Sequence, residues 1–165
     1  MLTRRRILQG GVYGFAALSV GSILKPGQAQ AATGETITHT DAEWRELLTA
    51  DQYAVLRKDG TESPFTSPLL HEARPGIFAC AGCDLPLFSS KTKYDSKTGW
   101  PSFWAPLYNA VTTKKDTSLG MVRTAVNCRR CDGHLGHVFN DGPRLTGLRY
   151  CMNGVALKFV PKASG

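Results

Sequence analysis

The sequence predicts a mainly β chain, entered through two short helices and clamped by a cluster of cysteines. Three observations predict it. Between Gly76 and Val160, short apolar runs alternate with turns rich in Gly, Pro, Asn and Asp. Ahead of them, Thr40-Asp-Ala-Glu43 and Thr49-Ala-Asp-Gln52 each read as a capping box that opens a helix. Four of the five cysteines fall as Cys80-x-x-Cys83 and Cys128-x-x-Cys131, and two such pairs complete a tetrahedral thiolate shell for one structural zinc ion. The chain has 165 residues, 42% hydrophobic and 20% charged, which suits one globular domain with a small appendage.

The appendage is the first 31 residues. Thr3-Arg-Arg-Arg-Ile-Leu-Gln9 is a basic start that resembles the twin-arginine export motif. Gly10 to Leu24 is uncharged and apolar, but short for a membrane-spanning helix. Lys25-Pro26 ends it, and Ala29-Gln-Ala31 is a small-x-small cleavage site. Residues 1–31 are therefore expected to be a cleaved signal, with the mature domain over 32–165, a periplasmic destination and no stable membrane association afterwards. Export of a folded chain would let the cysteines take up metal before meeting an oxidising compartment. The signal also explains the charge. Of the formal +7, four basic residues lie in this segment, which holds no acid; the rest carries 16 basic against 13 acidic residues, or +3. That balance speaks against a nucleic-acid partner.

The first helix is predicted from Thr40 through Leu48, with Trp44, Leu47 and Leu48 as its apolar stripe. The second follows Thr49, turns Tyr53, Val55 and Leu56 inward, and stops at Asp59-Gly60. Residues 61–75 are polar, broken by Pro64, Pro68 and Pro75, and read as a loop in which His71 has no assigned role.

Gly76-Ile-Phe-Ala-Cys80 reads as a strand that runs into the first cysteine pair, where Gly82 would let backbone amides turn toward a bound sulfur. Met121 to Val126 reads as a strand that runs into the second pair, whose turn residues Arg129 and Arg130 can offset thiolate charge. Disulfides or redox motifs are the alternative for CxxC pairs. Both pairs follow strands, whereas a redox motif opens a helix, and this favours zinc. Their wide separation places the metal as a clamp between two distant parts of one domain. Between them, Gly99-Trp-Pro-Ser-Phe-Trp104 is either a core corner or the wall of a small apolar pocket. Val111-Thr112 starts another strand, and Lys114 to Gly120 reads as a hairpin-like turn with solvated charges.

Gly133-His-Leu-Gly-His137 suggests metal ligands or acid–base groups. The cysteines already satisfy one zinc and Asp141 is the only nearby carboxylate, so acid–base work is the better reading. Leu145 to Tyr150 and Val155 to Val160 read as strands around the unpaired cysteine, Cys151. On an extended strand Arg149, Cys151 and Asn153 share one face. A cation and an amide beside the thiol suit a reactive thiolate, while an inert buried cysteine is the alternative.

Taken in order, Cys80-x-x-Cys83, Gly99-Trp-Pro-Ser-Phe103, Cys128-x-x-Cys131, Gly133-His-Leu-Gly-His-Val-Phe139 and Arg149-Tyr-Cys-Met-Asn153 resemble the motifs of type B peptide-methionine sulfoxide reductases, from about Asp41 to Val160. The resemblance implies two antiparallel sheets behind short helices, and reduction of the R epimer of methionine sulfoxide, free or in oxidised proteins. Cys151 would be the nucleophile. His134 and His137 would bind and help to protonate the sulfoxide oxygen. Arg149 and Asn153 would support the thiolate, and Trp100 would pack on the substrate methyl group. Cys80, Cys83, Cys128 and Cys131 would hold zinc.

Many members carry a second redox cysteine just before Gly-Trp-Pro. Here that position is Thr98. The sulfenic acid on Cys151 is therefore expected to be resolved by an external reductant, a small thiol or a thioredoxin-like protein, acting on a monomer. Two competing readings are a zinc-stabilised protein-binding module, which would not need Cys151 or the histidines, and a Cys–His hydrolase, which lacks any oxyanion-hole loop.

Overall fold

Both capping boxes form. In the computed structural model, which describes residues 35–163, helix α1 spans Asp41–Leu47 and helix α2 spans Ala50–Lys58. Thr40 Oγ1 accepts from the Glu43 amide at 3.3 Å while the Glu43 carboxylate accepts from the Thr40 amide at 2.7 Å. Thr49 and Gln52 repeat the exchange at 3.2 and 3.1 Å. Asp59 ends α2 in the left-handed conformation, at φ 54°. Trp44, Leu48, Tyr53, Val55 and Leu56 are buried as expected. Leu47 is not: Leu48 leaves the helix as an extended cap and takes the inward position, so Leu47 is 60% exposed. The export signal read over residues 1–31 lies outside the described residues.

Nine strands follow among the described residues: β1 Gly76–Cys80, β2 Pro86–Ser89, β3 Lys93–Tyr94, β4 Ser102–Phe103, β5 Val111–Asp116, β6 Arg123–Cys128, β7 His134–Phe139, β8 Arg149–Met152 and β9 Leu157–Pro161. They pair antiparallel in two sheets, in the orders β2-β1-β9 and β3-β4-β8-β7-β6-β5. The core joins the two. Phe78 and Phe88 from the small sheet close on Phe103 of the large one, with ring centroids 5.0 and 4.4 Å away, and all three are fully buried. Burying each such ring contributes about 1.5–3 kcal/mol. No helix among the described residues is long and apolar enough to cross a membrane.

Four boundaries differ from the sequence reading, the simplest being β6, which begins at Arg123 instead of Met121. Residues 145–148 form a turn, closed by hydrogen bonds from Thr146 and Gly147 to the Pro143 carbonyl, so β8 begins only at Arg149. Val155 and Ala156 sit in a 3-10 turn, and β9 starts at Leu157. The presumed hairpin turn at Lys114 is still strand, because β5 pairs with β6 as far as Asp116↔Arg123.

Candidate active site and metal centre

The cysteine pairs close two matching knuckles. β1 ends at Cys80 in the small sheet and β6 ends at Cys128 in the large one. In each, the residue after the second cysteine donates its amide to the first cysteine's carbonyl: Asp84 to Cys80 and Asp132 to Cys128, both at 2.9 Å. Both aspartates take the left-handed conformation, φ 58° and 55°. Gly82 does not need to be glycine for the turn: a Cβ there would meet the Trp44 ring at 3.5 Å, an ordinary contact. Aspartate, which tolerates this conformation better than most residues, carries the reversal instead.

The four sulfurs lie within 4.8 Å of one another, with Cys80–Cys131 at 3.7 Å and Cys83–Cys128 at 3.5 Å. Four thiolates about 2.3 Å from one tetrahedral ion stand roughly 3.8 Å apart, so the arrangement fits a metal ion. Hydrogen bonds among the sulfurs pull the Cys83 and Cys128 thiols down and push Cys80 and Cys131 up. Arg130 Nη1 donates to the Cys83 carbonyl at 3.0 Å and Arg57 Nη1 to the Cys131 carbonyl at 2.9 Å. Among the described residues, this is the one group of three or more side chains placed to hold a metal.

Cys151 stands apart on β8. The register makes one continuous row across the large sheet: Tyr94↔Ser102, Ser102↔Cys151, Cys151↔His137, His137↔Ala125 and Ala125↔Lys114. Cross-strand partners point to the same face, so Cys151 lies between the Ser102 hydroxyl and the His137 ring. Met152, its neighbour in sequence, points the other way into the core and is fully buried. The Thr98 hydroxyl is 3.9 Å from Cys151 Sγ, and Ser96 links Thr98 and Ser102 at 2.8 and 2.7 Å. Burial pushes the thiol up; the Thr98 hydrogen bond and the Arg149 charge pull it down less strongly. Burial therefore works against the thiolate, and the neighbouring hydroxyl and guanidinium work for it.

A cleft of about 120 Å³ opens over the row, lined by Trp100, Arg123, His137, Phe139, Cys151 and Asn153. Trp100 is pinned by its indole N–H, which donates to the Glu62 carbonyl at 3.1 Å, so its ring forms a fixed wall. Arg149 donates twice to Asp141, both at 2.8 Å, and lies over the Phe139 ring. Asn153 sits just beyond β8, at the start of the 3-10 turn. Its amide donates to the Leu135 carbonyl at 3.1 Å and its oxygen accepts from the Glu62 amide at 3.0 Å.

The histidines are three apart on one strand, and in a regular strand they would face opposite sides. A bulge corrects this. Asn127 pairs with His134 while Val126 pairs with Gly136, so Leu135 is the extra residue. Both rings then reach the same region, with centroids 5.2 Å apart. His137 Nε2 is 2.7 Å from Asp116 Oδ2. His134 lies deeper, 2% exposed, with Nε2 buried and unpartnered; burial holds it below the ordinary histidine range. It borders a neighbouring trough, not the Cys151 cleft itself.

Four contributors were missed in the sequence. Asp116 holds His137 and also accepts from Arg123 at 2.8 Å; hydrogen bonds from Ser118 and His137 keep its carboxyl well below the usual range. Arg123 lines the cleft, and its Nε is buried without a partner. Glu62 accepts from the Gly154 and Val155 amides, and so ties the 61–75 loop to the segment after Cys151. Ser96 completes the hydroxyl chain. The spacing Asp116-x-Ser118, in which the Ser118 amide donates to Asp116 at 2.8 Å, was a local signal; Glu62 left none.

Residues 48–161 match the SelR domain. The chain is similar to the peptide methionine sulfoxide reductase MsrB of Agrobacterium fabrum, 52% identical over 130 residues that cover 78% of this chain and 96% of that one. It is similar to proteins of the same name from Pseudomonas putida, 54% identical over 78% of this chain and 97% of that one, and from Leptospira interrogans, 52% identical over 74% and 95%.

Proposed function

Since this chain belongs to the SelR-domain family of type B peptide methionine sulfoxide reductases, we propose that it reduces the R epimer of methionine sulfoxide, free or within oxidised proteins, through Cys151. The observation that carries this reading is the cross-strand pairing of Cys151 with His137 under a cleft walled by Trp100, well apart from the four metal-binding cysteines.

The oxidised side chain enters the cleft with its methyl group against Trp100. Cys151 Sγ attacks the sulfoxide sulfur, whose oxygen is a poor leaving group until protonated. His137 is the nearest acid in the row, held in place by Asp116. His134 reaches the oxygen through water or through the His137 ring. Burial disfavours the Cys151 thiolate, and the row partner His137 is placed to carry a proton between the sulfur and the sulfoxide oxygen as the attack proceeds. The protonated oxygen leaves as water, a second water adds to Sγ as the new sulfur–sulfur bond breaks and gives up a proton, and the products are methionine and a sulfenic acid on Cys151. Asn153 and Arg149 act as struts: one fixes the loop past Cys151, the other brings positive charge near the sulfur.

A first external thiol converts the sulfenic acid to a mixed disulfide and releases water, and a second releases Cys151 as thiol. A small thiol or a thioredoxin-like protein serves as reductant. Cys80, Cys83, Cys128 and Cys131 hold a zinc ion, whose role is to join the two sheets. The enzyme acts as a monomer in the periplasm, after export by the twin-arginine-like segment and cleavage near Ala32. Changing Arg5 and Arg6 together to lysine should then leave the precursor in the cytoplasmic fraction; export without change would sink that part of the reading.

The test of function is reduction of separated R and S epimers of a blocked methionine sulfoxide with dithiothreitol, by the wild-type chain and Cys151→Ser. R-only activity that is lost in the variant is expected. A folded, metal-loaded wild-type chain that reduces neither epimer would leave a binding scaffold instead.

A further inference from the structure

The cleft over Cys151 has room for little more than one oxidised side chain, so the polypeptide on either side of it has to lie elsewhere. We propose that an adjoining trough over β5, β6 and β7 is the track for the polypeptide flanking the methionine sulfoxide. The proposal rests on the reductase reading and says which surface takes a protein substrate.

The trough encloses about 530 Å³ and adjoins the cleft, with Arg123 and His137 lining both. Its floor is Ala125, the small residue between His137 and Lys114 in the row that starts at the nucleophile's end of the sheet. Asp59, at the end of α2, rises on one side, and Lys114 and Asp116 on the other. The second, independent observation is His134. It is 2% exposed, its Nε2 has no partner, and it lines the trough and not the cleft. A buried polar nitrogen left unpaired is costly, and a main chain offers an N–H or a C=O to suit either tautomer.

Charge is not what the trough reads. Lys114 is paired with Asp132 at 2.6 Å, and Asp116 with Arg123 at 2.8 Å and His137 at 2.7 Å. Asp59 and Lys115 remain, one of each sign. Such a surface suits an extended main chain of unspecified sequence, which is what a repair enzyme for scattered oxidised methionines requires. The reach follows from strand spacing. Lys114 on β5 is three strands from Cys151 on β8, about 14 Å at 4.7–4.9 Å per step. An extended chain covers that in roughly four residues at about 3.3 Å each.

The experiment measures kcat/KM, for the R epimer, on a blocked single methionine sulfoxide and on peptides extended by one to six uncharged residues at the N- or C-terminal side. The wild-type chain should gain about tenfold from extension at one side only, levelling off near four residues, with little dependence on salt. Ala125→Leu, which fills the floor, should erase that gain, read as the ratio of kcat/KM on the longest peptide to kcat/KM on the single residue in the same variant. Absence of any gain from extension in the wild-type chain overturns the proposal without recourse to a variant. A full gain that survives in folded Ala125→Leu overturns it too. A wild-type chain that reduces neither the single residue nor any peptide refutes the reductase reading itself, and the track with it.

Discussion

Gly136→Ala tests the geometry that brings the nucleophile and its acid together. Gly136 follows the bulge on β7, at φ 154°, and pairs with Met152 next to the His137↔Cys151 pair. A Cβ at this position would stand 2.2 Å from the Cys151 carbonyl oxygen and 3.0 Å from Met152 Cα. Ordinary contact begins near 3.4 Å, so β7 and β8 would have to part by about 1.2 Å. The neighbouring atoms are backbone in a paired sheet, so no side chain can swing aside. His137 is the next residue, and its distance to Cys151 changes with the strand.

A misplacement of about 1 Å can cost on the order of 10²-fold in rate. Overpacking of this kind destabilises by roughly 1–3 kcal/mol, which a domain of this size survives. The expected result is a folded, metal-loaded protein whose kcat/KM on the R epimer has fallen about 10²-fold, with Cys151 still open to alkylation. The assay pairs steady-state kinetics with thermal unfolding and metal content. Wild-type kinetics in Gly136→Ala would refute the claim that the close β7–β8 approach sets the catalytic pair.

Two further outcomes follow from the site. Burial raises the Cys151 thiol, so its alkylation by iodoacetamide should be slow at pH 7 and keep rising with pH beyond the ordinary thiol value of about 8.5; a plateau already reached at pH 7 would mean the thiolate is the resting form. Stripping the metal with a chelator under reducing conditions should unlink the two sheets, at a cost of about 5 kcal/mol or more, and lower the thermal midpoint by roughly 20 °C; an unchanged midpoint in a sample shown to be metal-depleted would contradict the clamp.

Much of this architecture was legible because its signals are local. A capping box is four residues long, and both formed. Cys80 and Cys128 ended strands as their flanking apolar runs implied. The strand carrying the histidines was not legible, because the bulge at Leu135 breaks the alternation by which a strand is recognised. That same break puts His134 and His137 on one side, so the feature that hid the strand built the site. Strand β4 has only two residues, too few for any period, yet it supplies the row neighbour Ser102. Glu62 and Asp116 act across 92 and 21 residues of chain, at contacts that no window of sequence contains. Arg149 stood beside Cys151 in the sequence, but its second partner, Asp141, comes from a turn eight residues away that only the fold brings to it.

The separation of the five sulfurs has a kinetic consequence. Four are grouped where they can hold a metal between the sheets, and a thiolate given up to a sulfenic acid would be lost to that site. The groups around Cys151 that could have been thiols are hydroxyls: Thr98 at 3.9 Å, then Ser96 and Ser102. The reductant's sulfur therefore has to come from outside and reach Cys151 through the same small cleft that held the substrate. Both cannot occupy it at once, so methionine has to leave before the thiol enters. Initial rates at varied methionine sulfoxide and varied thiol should give parallel double-reciprocal lines, the pattern of a covalently modified intermediate released between two substrates. One turnover without thiol should yield one methionine and one sulfenic acid per chain. Thr98→Cys, with its sulfur in place of the hydroxyl nearest Cys151, should convert that sulfenic acid into an internal disulfide. Intersecting lines for the wild-type chain would mean that substrate and reductant bind together, and that a second entrance to Cys151 exists.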